Sequence, residues 1–191
     1  MNRIRALILI LVGMTGCSTT ARTTRVFVVS PTVHDWEAAF SKLQPEERSA
    51  VRDGSVAIDA SVVAWDGKVY HFRYGPPSGR PIEYERLELA TVCGTYNECF
   101  AARSTNRWKV VSAVTFSGFG AENELPIYSY TFEVHLQLTR LDRTITLVGK
   151  GTGPAVSSRT SSDVVEAAVN QAFALAFLKV VVQLENGQSG G

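Results

Sequence analysis

Few residues in this 191-residue chain could do covalent or acid–base chemistry. The cysteines are Cys17, Cys93 and Cys99, and the histidines are His34, His71 and His135. An odd cysteine count asks for one thiol to be used differently from the others. Cys93 and Cys99 bracket Gly-Thr-Tyr-Asn-Glu, a run with turn formers, and the spacing predicts a small loop closed by a Cys93–Cys99 disulfide. In the loop-entropy view so short a loop gains roughly 2 kcal/mol from closure. Two free thiols are the alternative. Five intervening residues fit neither the Cys-x-x-Cys redox pattern nor common zinc knuckles, and no two histidines have metal-ligand spacing.

The remaining candidates are no stronger. Gly149-Lys-Gly-Thr-Gly153 has the look of a phosphate loop, but Thr144 stands where a Walker loop needs its first glycine. Gly151 also replaces the hydroxyl residue after Lys150, so the run reads as a flexible strand-to-helix connection. There is no Gly-x-Ser-x-Gly nucleophile elbow. His71 and His135 fall on solvent-facing positions of alternating strands, and His34-Asp35 reads as a helix-entry feature. Glu83, Glu85 and Glu88 read as exposed acids along an edge. The expectation is therefore no catalytic residue, no metal and no cofactor.

Cys17 belongs to a different pattern. Arg3 and Arg5 precede an apolar run over residues 6–14, the layout of a secretory signal peptide. Nine helical residues rise about 14 Å, short of a bilayer core of ~30 Å. The run ends Met14-Thr15-Gly16-Cys17, which resembles the lipobox of bacterial lipoproteins. The resemblance covers residues 1–18, with Met14 where the pattern prefers leucine. It implies removal of residues 1–16 and lipid on Cys17, with two or three chains giving a stable anchor. Ser18 in the next position implies the periplasmic face of the outer membrane. Residues 18–25 are polar and reach at most about 29 Å, which keeps the folded part near the membrane. The resemblance thus divides the chain into a leader (1–16), a lipidated tether (17–25), one periplasmic domain (26–185) and a flexible tail (186–191).

The elements between tether and tail follow from periodicity. Residues 25–31 read as a strand, and Trp36, Ala39, Phe40 and Leu43 have helical spacing. Pro45 opens a second short helix. Alternation from Ser55 to Trp65, then Asp66-Gly67, predicts a hairpin returning through residues 68–74, with Tyr70, Phe72 and Tyr74 on one face. Residues 82–92 read as a further strand. Trp108, Val110, Val114 and Phe116 are expected on one side of the next strand. Residues 128–139 alternate without a fault, and Leu141-Asp142-Arg143 turns the chain into residues 144–149. A loop over 151–161 precedes a helix to about Leu184 whose wide apolar surface needs cover from a sheet or partner. The fold class expected is α+β: a mainly antiparallel sheet, with a long C-terminal helix and short N-terminal helices packed on one face.

Composition limits the partners. With 45% hydrophobic and 19% charged residues the chain is ordinary globular material. Without residues 1–16 it carries 17 basic and 18 acidic residues, so no basic field exists to collect nucleic acid. The expected role is that of a non-catalytic, membrane-anchored component binding an envelope protein in a transport, secretion or surface-assembly complex. The layout is similar to small auxiliary lipoproteins of envelope ABC-type transporters, a likeness without diagnostic motifs. The alternatives are a carrier, with Tyr70, Phe72 and Tyr74 enclosing an apolar ligand, and an envelope hydrolase.

Overall fold

The computed structural model describes residues 25–53, 56–60, 70–73, 81–87, 89–121, 127–157 and 160–188. Its organising element is the last helix, α4 (Ser162–Gln188). Val165, Ala168, Val169, residues 172–178, residues 180–182 and Leu184 are all buried. A helix apolar around its whole circumference must be covered on every side. By length and composition Asp163–Gly187 could cross a membrane, yet 72% of its most apolar stretch is buried within the fold. The chain therefore supplies the cover this helix requires. The helix also continues to Gln188, past the expected end at Leu184.

One cover is a sheet. β5 (Asn106–Ala121), β6 (Ile127–Arg140) and β7 (Arg143–Thr152) form an antiparallel meander. β2 (Val56–Asp59) lies parallel beside β5, and β8 (Val156–Ser157) pairs with the start of β6. On β6, Tyr130, Phe132, Val134, Leu136 and Leu138 are buried, while Thr131, Glu133, His135 and Thr139 are half-buried and Gln137 is exposed. The period-2 alternation thus gives one buried and one wet face, as antiparallel sheets permit. Phe132 meets Phe173 of α4 edge-on, with centroids 5.7 Å apart.

The other cover is helical. α1 (Val33–Ser41) and α2 (Pro45–Asp53) pack onto α4. Thr32 caps α1 in a capping box with Asp35, so the His34-Asp35 entry feature is Asp35's work. Trp36 fills the joint, with ring centroids 5.5 Å from Phe177 and 5.8 Å from Tyr96. A smaller sheet, in the order β1 (Arg25–Val29), β4 (Pro81–Leu87), β3 (Tyr70–Arg73), has β1 parallel and β3 antiparallel to β4. The chain is α+β with its helices on one face of the larger sheet, as expected.

Three expectations are corrected, while the hairpin expected at Asp66-Gly67 falls on residues 61–69, outside the described residues; β2 joins β5 and β3 joins β4. Residues 89–92 are helical, the start of α3 (Leu89–Tyr96), and not the end of a strand. A bulge at Val111 shifts the parity of β5, so Trp108 and Val110 are buried but Val114 pairs with His135 of the wet face. Gly149-Lys-Gly-Thr-Gly153 is no flexible connection. Its first four residues belong to β7, and a β-carbon on Gly149, Gly151 or Gly153 would collide with the carbonyls of Ala176, Ala172 and Ala168 respectively. Glycine on the strand and alanine every fourth residue on the helix let the two backbones touch.

Candidate functional site

The cysteine segment departs furthest from expectation. α3 passes directly into a π-helical stretch, Asn97–Ala101, so Cys93 and Cys99 sit on one continuous helical segment. Six residues along a helix separate two positions by about 9 Å of rise, and a disulfide requires Cα atoms within about 7 Å. Both thiols are free, Cys93 buried and Cys99 half-buried. Burial, reinforced by the charge of Asp59, pushes the Cys93 thiol up to about 12. Burial and the carboxylates Glu37 and Glu98 also raise Cys99. Nucleophilic thiols need the opposite environment, so this pair is structural.

What the segment does instead is close a sheet edge. β2 is an edge strand, and unpaired edge groups invite foreign strands. Asn97 Oδ1 accepts from the Ile58 N–H at 3.0 Å, and its Nδ2 donates to the Ile58 carbonyl at 2.9 Å. Tyr96 Oη donates to the Val56 carbonyl at 2.9 Å, and Glu185 Oε1 accepts from the Val56 N–H at 2.9 Å. Every outward backbone group of Val56 and Ile58 is thereby satisfied. Burial, with Glu185 and Cys93 nearby, raises the Tyr96 phenol far above its ordinary range, so the hydroxyl keeps its proton for this bond. Asn97 was legible only as a turn former between two cysteines. On the opposite edge, Gln183 of α4 donates to the Val148 carbonyl of β7.

With the helix layer enclosed and the edge of β2 sealed, the wet face of β5–β6–β7 is left open among the described residues. Glu133 and His135 stand two residues apart on β6, with His135 Nε2 2.7 Å from Glu133 Oε1. Lys150 is the register partner of Glu133, and Val148 that of His135. Thr131 and Thr152 share a hydroxyl hydrogen bond of 3.0 Å across the same pair of strands. Val111 and Val148 are among the exposed large hydrophobic side chains. His135 is therefore not simply solvent-facing; it is half-buried against an acid.

The other sequence candidates do not converge on it. His34 is exposed on the first turn of α1, and His71 is the backbone partner of Glu83 between β3 and β4. Glu85 is on β4, while Glu88, Tyr74 and Cys17 lie outside the described residues. Tyr70 and Phe72 belong to β3 of the smaller sheet. Among the described residues no three histidines, cysteines or carboxylates gather as metal ligands.

No family model, curated protein or solved structure matches this chain. The geometry of its own surfaces therefore has to carry the functional reading. The Glu133–His135 pair has the acid–base half of a catalytic group. Of the hydroxyls nearest in register, Thr131 and Thr152 bond each other, while Ser112 and Thr146 both pair with Gln137. Glu133 and His135 are thus a hydrogen-bonded pair on a face that also exposes Val111 and Val148.

Proposed function

We propose that this chain is a lipid-anchored protein of the bacterial envelope, a non-catalytic binding or assembly component that meets its protein partner through the wet face of β5–β6–β7. One observation carries the reading. α4, the surface a partner would most want, is already enclosed, and β2 is sealed by side chains, while among the described residues no layer covers the sheet face around Glu133, His135, Val111 and Val148. Exposed valines beside a hydrogen-bonded carboxylate and imidazole are the mixture found where protein surfaces dock, an apolar centre with polar groups fixing register. The lipobox-like Met14-Thr15-Gly16-Cys17 and the short polar tether support a position at the membrane, on the periplasmic face of the outer membrane.

Photo-crosslinking tests this in whole cells. A crosslinking residue at Gln137 or Val148 is expected to capture one envelope protein, and the same residue at exposed Glu46 of α2 is not. Equal capture from both sides, or none from the sheet, defeats the reading.

A further inference from the structure

β2 is the sealed edge of the larger sheet, and β7 is the opposite edge. Along an antiparallel strand, successive residues turn their N–H and C=O alternately toward the partner strand and away from it. Gln183 reaches the Val148 carbonyl from α4, so Val148 is an outward residue, and Thr144, Thr146 and Lys150 are in step with it. Among the described residues, no other outward backbone group of β7 has a side chain on it. β7 pairs with β6 over all ten of its residues without a bulge. A long, regular edge of this kind is a template for one more strand. Its cations, Arg143 and Lys150, flank residues 144–148 and leave the middle unguarded.

The side chains beside that stretch have the period of a strand. Arg143, Ile145 and Leu147 follow one another on the helix side of β7 and line a groove with Leu184 of α4. Ile145 and Leu147 are half-buried against the core, so their outer flanks stay open. A strand laid beside β7 at the usual spacing of about 4.8 Å would set every second side chain on them. The backbone groups thus call for an extended chain, and the groove calls for two apolar side chains two residues apart. Charge decides whose chain it is. Arg140 at the end of β6, Arg143 and Lys150 are basic, and β7 contains no acid. Pairing this edge with a second copy would gather those cations on one seam, and like charges facing each other across strands are destabilising. An acidic strand neutralises them.

We infer that β7 accepts an extended segment of the partner protein as an additional strand, with apolar residues against Ile145 and Leu147 and a carboxylate beside Arg143. The inference rests on the docking reading and says how the partner is held. Val148 and Lys150 belong both to this edge and to the wet face, so an added strand carries that face on into the partner.

The probe is the peptide Glu-Thr-Val-Thr-Val-Thr-Glu, which presents the same face in either strand direction. Added to the purified full chain, it should slow amide exchange at Thr144 and Thr146, read by nitrogen-15 NMR, and should bind more tightly than Lys-Thr-Val-Thr-Val-Thr-Lys. Thr146→Pro removes an outward N–H and no bond to β6, a position where edge strands accept proline. It should weaken peptide binding about tenfold, the worth of one hydrogen bond. Arg143→Glu, at an exposed position, should reverse the preference between the two peptides. Unchanged exchange at Thr146 with millimolar peptide, or an Arg143→Glu protein that keeps the wild-type preference, overturns the inference. A wild-type dimer that Thr146→Pro splits, seen by sedimentation, makes a second copy the occupant and overturns it too. In whole cells, capture from Gln137 without protection at Thr146 removes the added strand alone. Protection without capture defeats the docking face and leaves β7 as a strand acceptor.

Discussion

Gly151 of β7 lies so close to Ala172 of α4 that no β-carbon fits between its Cα and the Ala172 carbonyl. The contact repeats one helical turn away in each direction, Gly149 against Ala176 and Gly153 against Ala168. A strand advances about 6.8 Å over two residues and a helix about 6 Å over four. The two repeats keep step over this length, so helix and sheet meet backbone to backbone.

Gly151→Ala should therefore destabilise the fold by about 1–3 kcal/mol, the usual cost of forcing volume into a packed interior. Gly94→Ala in α3 is the control. Its β-carbon meets nothing within 4 Å, and loss of a helical glycine should raise stability by about 0.5–1 kcal/mol. Urea unfolding of the two variants should move the midpoint in opposite directions. A neutral Gly151→Ala would show that the helix can lift from the sheet at no cost.

How far could this have been foreseen? The alternating run on β6 is legible because one-sided burial imposes a period on the sequence, and α4 because burial on every side makes it almost continuously apolar. The Gly-Lys-Gly-Thr-Gly run is not, because glycine serves loops and close approaches equally, and only the facing alanines distinguish them. Parity on β5 was lost at one residue, since nothing in Val110-Val111-Ser112 announces a bulge. That β2 joins β5 and β3 joins β4 was not legible, because a local turn signal says nothing about which further strand each arm will meet. Asn97 was invisible as an edge cap for a related reason: its partners are 39 positions away.

The thiols give a chemical check. Intact mass should be the same with and without reductant for the Cys93–Cys99 pair, and an alkylating agent on the native protein should reach half-buried Cys99 well before buried Cys93. A two-dalton gain on reduction would mean that residues 93–99 leave the helical conformation.

Leu141, at the turn between β6 and β7, has φ 55° and is 93% exposed. A left-handed backbone costs an L-residue other than glycine or asparagine about 1–2 kcal/mol, and this side chain gains nothing from burial. Leu141→Asn should stabilise the protein by roughly 1 kcal/mol, seen as a higher denaturation midpoint with an unchanged slope.

Glu47 links α2 to α4 and sets part of the pH dependence. Burial opposes its charge, but the Gln44 N–H at 2.9 Å and Lys179 Nζ at 3.1 Å outweigh that and hold its carboxyl below the ordinary 4.5. A carboxyl depressed in the folded state stabilises fully above its unfolded value and loses that contribution as pH falls through the folded one. Wild type should thus exceed Glu47→Gln in stability at pH 7. The gap, under about 1 kcal/mol for so accessible a pair, should close as pH drops below 4.5. A gap that stays constant down to pH 3 would assign it to packing and not to charge.

Asn97 should matter more than any charge on the surface. Its amide answers both backbone groups of Ile58, a residue with no exposure at all. Asn97→Ala leaves a buried N–H and a buried carbonyl unanswered, each costing about 1–3 kcal/mol. A loss of at least about 2 kcal/mol is expected, with faster amide exchange at Ile58 and new self-association as the unsealed edge of β2 seeks another strand. Exposed Glu98, its neighbour, should tolerate alanine within about 0.5 kcal/mol. If Asn97→Ala were as mild as Glu98→Ala, β2 would already be protected by another group, and the π-helical turn that delivers Asn97 would have no structural purpose.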